Sequence, residues 1–262
     1  MKKYILILTA MISLVACNSD KMLRTRSEKL LNSMYEALRD NDPKLFFNTE
    51  IKYYNWSNSL SDDKQKMLTG IETEWMNTGR AGGYFQGMKM YDETGASSSM
   101  IRFVCDLVPE ESSKAIQKLE DIRELQLAYK SIYGEYAENF ETLRHFYINE
   151  SVIDYYIVNE AEVHVYVPVK DKLFTDRKDF DISTIEYVPN NRNDVIQMRA
   201  YTQRFMGLQI PLFEAAIPWR LLLSEYDDET VQSIIRVMNK AECYPGLMVG
   251  NFKNHIAGNW ED

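Results

Sequence analysis

Histidines and paired acids are the residues of this 262-residue chain whose types best suit catalysis or metal binding. His145, His164 and His255 are its three histidines, and their spacing matches no metal motif such as H-E-x-x-H. Asp62-Asp63 and Asp227-Asp228 stand where helices are predicted to begin, and carboxylates there cap free backbone N–H groups. The sequence has no serine-nucleophile or phosphate-loop motif. It therefore predicts no catalytic residue, no metal site and no cofactor.

An aromatic cluster is the one pattern that suggests a binding surface. Tyr53, Tyr54 and Trp56 follow closely on Phe46 and Phe47, and the flat faces of such rings bind sugars and partner proteins. The same rings would also fill a core beneath the first helix, because tyrosine and tryptophan are often largely buried. We favour the core, and keep Tyr53, Tyr54 and Trp56 as the candidate ligand contacts.

Charge and cysteine content narrow the class of protein. The chain carries 39 acidic and 30 basic residues, a formal net charge of −9, with both signs mixed along its length. Nucleic-acid binding needs a clustered basic face, which the sequence lacks. An oxidising compartment would permit a disulfide between Cys105 and Cys243. Each lies among apolar neighbours, however, so two buried thiols are the favoured interpretation and the disulfide stays open.

The N-terminus has the pattern of a leader followed by an anchoring cysteine. Lys2 and Lys3 precede an apolar run, Tyr4–Ala16. This run is shorter than the ~20 residues of a membrane-spanning helix and suits a signal-peptide core. Leu14-Val15-Ala16-Cys17 resembles the bacterial lipobox, in which the cysteine receives a lipid and becomes the first mature residue. The alternative is a chance cysteine behind an ordinary signal peptide. The resemblance implies a leader over 1–16, a lipid on Cys17 and a tether over 17–20.

A lipid on Cys17 would hold a folded domain at a membrane without crossing it. Bacteroidota lipoproteins bound for the cell surface tend to carry several acidic residues just after the cysteine. Here Asn18-Ser19-Asp20-Lys21 offers one acid and one base. We expect attachment to the cell envelope, with the domain facing the periplasm.

Residues 21–112 are predicted to form a first α+β module. Apolar residues recur at three- and four-residue steps over Met22–Arg39, as in an amphipathic helix, and Asp42-Pro43 is a helix start signal. After a further helix near Ser61–Gly79, a hairpin is predicted to turn at Asp92–Gly95, and Met100–Leu107 alternates like its outgoing strand. This order resembles small cone-shaped lipoprotein domains related to nuclear transport factor. That fold has three or four long strands, of which two are evident here.

Residues 113–262 are predicted to form a second α+β module, because Pro109–Ser113 has the composition of a boundary. A long helix is expected over Ser113–Tyr133, with Tyr129 on its apolar stripe and Gly134 as its stop. Strands are predicted at Ala161–Val169 and Ile185–Val188, and a last helix from Asp227-Asp228. Val195–Arg204 and Leu208–Ile217 are predicted to form a hairpin, in which Pro211 suggests an edge strand. The predicted fold class is α+β: two modules with helices packed on antiparallel sheets.

Three segments of the second module carry a family resemblance. They are Asp121–Phe146, Val167–Pro189 and Tyr244–Glu261, the last reading YPGLMVGNFKNHIAGNWE. They resemble an uncharacterised Bacteroidota family of membrane-anchored proteins with a YPGL-x-VG … N-x-AGNWE ending. The resemblance implies a membrane location and a single fold from Ser113 to the end, but no biochemical activity.

Strong folding signals without a catalytic constellation favour a lipid-anchored envelope protein that binds or scaffolds a periplasmic partner protein. One alternative is an enzyme that hydrolyses envelope glycan or peptidoglycan with dispersed carboxylates, recognisable by a deep cleft with two or more acids of shifted pKa. Another is a small-ligand carrier, which would need an apolar pocket enclosed by the first module. The expected partners are the membrane, through the lipid, and an envelope protein of unknown identity.

Overall fold

The computed structural model describes residues 2–78, 96–158, 161–251 and 255–261, with the side chains of 20–78, 100–155, 164–204, 206–250 and 257–261. The fold is α+β, as predicted. The chain divides into two compact units: unit 1 is Met1–Ser97 with Asp227–Glu242, and unit 2 is Ser98–Tyr226 with Cys243–Asp262. Each unit is described by itself.

The helices in chain order are α1 (Lys2–Arg39), α2 (Pro43–Asn58), α3 (Asp62–Met76), α4 (Ala96–Leu107), α5 (Pro109–Tyr133), α6 (Phe140–Asn149), α7 (Val169–Lys172), α8 (Trp219–Leu222) and α9 (Asp228–Lys240). The strands are β1 (Ser151–Val158), β2 (Ala161–Pro168), β3 (Tyr187–Val188), β4 (Asn191–Val195), β5 (Gln197–Phe205), β6 (Leu208–Pro218), β7 (Gly246–Asn251) and β8 (His255–Gly258). A short 3₁₀ helix covers Ile182–Thr184.

The division into units differs from the predicted boundary at residues 112 and 113. Pro109–Ser113, predicted as a linker, is the first turn of α5, where Pro109 needs no hydrogen-bond partner for a backbone N–H. Glu110 and Glu111 in the same turn favour the positive end of the helix dipole. Helix α9 belongs to unit 1, although it lies far along the sequence.

In its described part, unit 1 is built from α1, α2, α3 and α9. The predicted start of α2 is confirmed, since Asp42 accepts a hydrogen bond from the Leu45 N–H at 2.9 Å and Pro43 occupies the first turn. Helix α1 packs on α2 and α3, and the Trp75 indole N–H donates to Asn32 at 2.9 Å. The buried apolar side chains of these helices include Leu31, Met34, Phe46, Phe47, Leu68 and Ile71.

The predicted strand at Met100–Leu107 is wrong, because this segment lies in helix α4. Met100, Ile101, Phe103 and Val104 are all buried, and their spacing places them on one helical face. Val104 distinguishes the two patterns, since a strand would put it on the polar face, whereas it is fully buried.

The resemblance of the first module to the cone-shaped domains depended mostly on Ser27–Phe47 and on the order of three helices followed by a hairpin, of which the outgoing strand is instead helical. The hairpin turn at Asp92–Gly95 lies outside the described residues. Within the described part of unit 1, every element is a helix. The described residues therefore lend no strand to that resemblance.

Unit 2 contains a four-stranded antiparallel sheet in the order β5-β6-β7-β8, with α5 packed against β6 and β7. The predicted β5–β6 hairpin is confirmed, and β1–β2 and β3–β4 form two further antiparallel ribbons. Gly134 ends α5 at φ +76°, as predicted. Gln126 of α5 is fully buried and bonds both the N–H and the carbonyl of Ala137, which fixes the chain that follows the helix.

Strand β6 is not an edge strand, contrary to the expectation from Pro211. It pairs with β5 on one side and β7 on the other. Only Glu214–Pro218 pairs with β7, so Pro211 lies where β5 alone flanks the strand. Proline is tolerated there because no second neighbour requires its missing N–H.

The C-terminal segment Tyr244–Glu261 contains β7 and β8, two strands that the sequence pattern did not predict. A Cβ on Gly246 would lie 2.4 Å from the Ile217 carbonyl oxygen, so only glycine fits. Asn259, which is buried, donates to the Gly246 carbonyl and accepts from the Met248 N–H, both at 3.0 Å. Gly250 adopts φ +73° beside the Phe213 carbonyl. These residues therefore hold the sheet together.

Candidate functional site

The three candidate aromatic residues lie on α2 of unit 1, and one of them is a core residue. Tyr53 is 8% exposed and its hydroxyl donates a hydrogen bond to Glu72. Burial, and then this bond, raise the pKa of Tyr53 well above its ordinary value. Tyr54 and Trp56 are more exposed. Only these two rings are open to a ligand at all.

Arginine side chains cover the rings of Tyr54 and Trp56. The guanidinium carbon of Arg236 lies 3.7 Å from the Tyr54 ring centre, and that of Arg26 lies 4.8 Å from the Trp56 ring. Arg236 is held in place by two bonds to Glu50, at 2.7 and 3.2 Å, and Glu50 is 5% exposed. Since each ring already stacks on a cation of the same unit, this cluster is a poor platform for an outside ligand.

The structure describes the side chains of two of the three cysteines, Cys105 and Cys243, and both are thiols. Cys17 lies in α1 among residues whose side chains the structure does not describe. Cys105 and Cys243 are half-buried, and no disulfide joins them. Burial raises the pKa of the Cys105 thiol to about 11. That thiol is therefore protonated at neutral pH and is not an activated nucleophile.

A groove in unit 2 brings together residues that the sequence did not predict to form a common site. It is a cavity of about 450 Å³ where the C-terminal end of α5 meets α6 and the residue before β1. We term it the acidic aromatic groove. Its lining residues are Tyr129, Tyr133, Asn139, Glu141, Thr142, His145, Phe146 and Glu150.

Two tyrosines one helical turn apart form the aromatic wall of this groove. The ring centres of Tyr129 and Tyr133 are 4.5 Å apart, with an angle of 36° between the planes. Phe146, which is 1% exposed, meets these rings edge-on at 5.3 and 6.2 Å. Tyr133 is 46% exposed. The pair thus rests on the core and keeps ring surface open to the groove.

The charge at the groove is negative. Glu141 and Glu150 line it. Burial raises the pKa of Tyr129, and the nearby Tyr133, Glu135 and Glu138 raise it further, because each disfavours a second negative charge. Four carboxylates therefore surround or flank the tyrosine pair.

The basic residues next to the groove in sequence have partners elsewhere. The Lys130 ammonium lies 4.7 Å from the ring centre of Tyr136, and Arg144 pairs with Glu186 at 2.9 Å. Among the described side chains, no arginine or lysine stacks on Tyr129 or Tyr133. The groove therefore presents aromatic and acidic groups that a cation from outside can meet.

The two histidines whose side chains are described, His145 and His164, have different surroundings. His145 lines the acidic aromatic groove, and His164 of β2 lies edge-on to Tyr155, with ring centres 4.7 Å apart. The side chain of His255 is not described. In the described ranges, no set of three or more His, Cys, Asp or Glu side chains is arranged to hold a metal ion.

A second set of charges in unit 2 ties a loop to α5. Asp121, which is buried, accepts bonds from Arg177 at 2.8 and 3.4 Å, and Lys118 donates to the Thr184 carbonyl at 3.1 Å. Burial, and then the charges of Asp121 and Asp176, raise the pKa of Glu124. Glu124 does not line the acidic aromatic groove. We therefore assign this set to fixing the loop.

A cavity of about 400 Å³ in unit 1 lies between α1 and α3. Four of its seven lining residues are charged, and Arg24 and Glu74 pair there at 2.7 Å. A carrier for an apolar ligand needs a predominantly apolar enclosure. This cavity is an open depression and not an enclosure, and the Arg24–Glu74 ion pair lies in it.

Comparisons with protein-family models, curated proteins and solved structures found no match. Over the part of the chain that the structure describes, no helix is both long and apolar enough to cross a bilayer.

Proposed function

We propose that this protein is a lipid-anchored envelope protein that binds a positively charged segment of a partner protein in the acidic aromatic groove. The observation that carries the proposal is the open Tyr129–Tyr133 pair beside Glu141 and Glu150. Aromatic faces and carboxylates both attract cations. A cavity of about 450 Å³ suits a few side chains of such a segment. The preferred ligand is therefore an arginine or lysine side chain.

The anchor in this proposal is a lipid on Cys17, with the folded part on the periplasmic side of the envelope. Its support is the leader itself, in which two lysines and a short apolar run precede Leu14-Val15-Ala16-Cys17. A clickable fatty acid fed to cells tests it. We expect label on the wild-type chain and none on Cys17→Ser, and label on the variant would contradict lipidation at this residue.

The groove proposal is tested by titrating the full chain, in detergent, with a glycine-spaced arginine peptide and a matching glutamate peptide. We expect only the arginine peptide to bind, and its affinity to fall as salt rises. Tyr133→Ala should weaken binding about tenfold, as loss of a well-placed cation–π contact does. Glu141→Gln combined with Glu150→Gln should weaken it comparably.

The matched control is Tyr155→Ala, which removes a tyrosine that is 57% exposed and lies outside the groove. This variant should bind the arginine peptide like wild type. Equal binding of the two peptides, or an unchanged affinity in Tyr133→Ala, would contradict the proposal.

An envelope-polymer hydrolase is the second candidate, because two carboxylates, Glu141 and Glu150, face one cavity. It predicts release of soluble fragments from peptidoglycan, lost in Glu141→Gln. Binding without turnover would favour the first proposal. Turnover that both single glutamine variants abolish would replace it with the enzyme.

A further inference from the structure

The turn between β5 and β6 has a conformation that its sequence does not favour. Phe205 pairs with Leu208, so Met206 and Gly207 form a two-residue loop, and both have positive φ, +49° and +85°. This is the backbone of a type I′ turn, whose first position favours asparagine, aspartate or glycine. A methionine there incurs the steric cost of a Cβ in the left-handed region.

Packing among the described residues does not explain the methionine either. Met206 is 87% exposed and Leu208 is 66% exposed. The loop therefore places two large apolar side chains in water, at the end of a hairpin, in a conformation that a polar residue would adopt more easily. These side chains are therefore available to a contact outside the described residues. We term Met206–Leu208 the hairpin tip.

The charge of the hairpin indicates what that contact is. Residues 197–213 contain no acidic residue, in a chain that has 39. Arg199 pairs with Glu214 at 2.6 Å, whereas Arg204 is exposed two residues before Met206. An apolar end followed by an arginine and two glutamines, Gln203 and Gln209, matches the polarity gradient of a membrane interface.

We propose that the hairpin tip inserts into the interfacial layer of a bilayer that contains anionic lipid. Met206 and Leu208 would lie among the upper acyl chains, and Arg204 would lie at the phosphate headgroups. A bilayer suits a narrow, convex tip because it needs no preshaped pocket, and the acid-free stretch 197–213 is not repelled by an anionic surface. This contact is additional to the N-terminal anchor and independent of the acidic aromatic groove.

The experiment compares methionine oxidation in the unaltered full chain, reconstituted in vesicles of phosphatidylethanolamine with a minor fraction of phosphatidylglycerol and recovered by flotation. Peroxide converts accessible methionine to the sulfoxide, and peptide mass spectrometry gives the rate at each site. Met67, which is 40% exposed on α3, is the internal reference. In water, Met206 should oxidise faster than Met67. On insertion, the order should invert, with Met206 roughly tenfold slower.

A matched pair of variants separates a membrane role from a folding role. In a Cys17→Ser background, which removes the lipid, Met206→Asn with Leu208→Thr improves the turn and removes the apolar tip, and should float less than Cys17→Ser alone while resisting urea at least as well. Met67→Gln with Leu45→Gln removes exposed apolar residues elsewhere and should float normally. Fast oxidation of Met206 on floated vesicles would overturn the proposal. So would a tip variant that floats as well as Cys17→Ser alone, or protection that appears only when envelope proteins are added.

Discussion

Two aromatic clusters of this protein have similar composition but differ in whether their rings are open to a ligand. On α2 of unit 1, Tyr54 and Trp56 each stack on an arginine of the same unit, and a buried glutamate holds one of those arginines. In the acidic aromatic groove of unit 2, Tyr129 and Tyr133 face carboxylates and have no stacked cation among the described residues. The first cluster has an internal cation, and the second lacks one.

The difference shows what distinguishes a binding surface from a packed one. Aromatic residues close in sequence say nothing about what lies over their rings. Arg236, which covers Tyr54, is more than 180 residues away from it in the chain. The groove depends on residues of two helices, the cap before the second helix and the residue before a strand. A surface is open to a ligand only where the fold has not already supplied the complementary charge.

The largest expected effect is in unit 1, where Glu50→Gln would break the set that holds Arg236 over Tyr54. Glu50 is 5% exposed, and Ser233 also donates to it. Removing one partner of a largely buried ion pair leaves the charge of the other partner uncompensated. The free energy of unfolding should therefore fall by about 2–4 kcal/mol. Urea unfolding measures this.

The control for Glu50→Gln is Glu74→Gln, in the exposed pair with Arg24. It should leave the urea midpoint nearly unchanged, because exposed pairs contribute little. Equal midpoints for the two variants would show that unit 1 does not depend on its internal cation, and the comparison would fail.

The groove should be sensitive to its helix cap. Asn139 begins α6, where its side-chain oxygen accepts from the Thr142 N–H at 2.9 Å. Asn139→Ala should cost about 1 kcal/mol of stability, since it leaves that N–H unpaired. Asn139→Asp keeps the acceptor and should unfold like wild type. Thermal unfolding distinguishes the two variants. If Asn139→Ala unfolds at the same temperature as wild type, the cap does not stabilise the helix that forms the groove wall.

Much of the fold could be predicted wherever a local signal has one meaning. Asp42-Pro43 begins a helix and Gly134 ends one because caps act through neighbouring backbone groups. The β5–β6 hairpin followed from alternation, although its turn residues are unusual. The strand predicted at Met100–Leu107 was wrong because the apolar residues of this segment fit both a period of two and a helical spacing.

The groove could not be predicted, because its residues acquire meaning only when α5 and α6 meet. Tyr129 was placed on the apolar stripe of α5, and it is half-buried, with its ring also on the groove wall. The only sequence signal was the four-residue spacing of Tyr129 and Tyr133. Strands β7 and β8 were missed because Gly246 and Gly250, which close contacts require, are atypical of strands.

A smaller effect concerns the pH dependence of α9, the helix that carries Arg236. Asp227 caps it, and bonds from the Thr230 N–H and hydroxyl lower the pKa of that carboxyl. A lowered folded-state pKa contributes stability above the unfolded value and loses it as pH falls through the folded value. Asp227→Asn keeps the cap but removes the charge.

The Asp227→Asn chain should therefore unfold a few tenths of a kcal/mol more easily than wild type at neutral pH. The two chains should become equal in acid, where the aspartate is protonated. Urea titrations at several pH values measure the difference. A gap that persists in acid would assign the effect to something other than the charge.

The smallest expected effect tests the negative charge around the groove. Because Glu135 and Glu138 raise the pKa of Tyr129, Glu135→Gln combined with Glu138→Gln should lower that pKa. NMR of ring-labelled tyrosine, assigned with Tyr129→Phe, would follow the titration. Tyr226, whose pKa is raised by burial and by Glu111, should not respond. An unchanged pKa of Tyr129 would show that these carboxylates do not act on the groove.

The most direct measurement of the central claim is an NMR titration of the full chain, with ring-labelled tyrosine and tryptophan, using the arginine peptide. We expect saturable shifts in the ring signals of Tyr129 and Tyr133. The signals of Tyr54 and Trp56 should not shift, because Arg236 and Arg26 already cover these rings. If Tyr54 and Trp56 shift as much as the groove tyrosines, or if neither cluster responds, the account is contradicted.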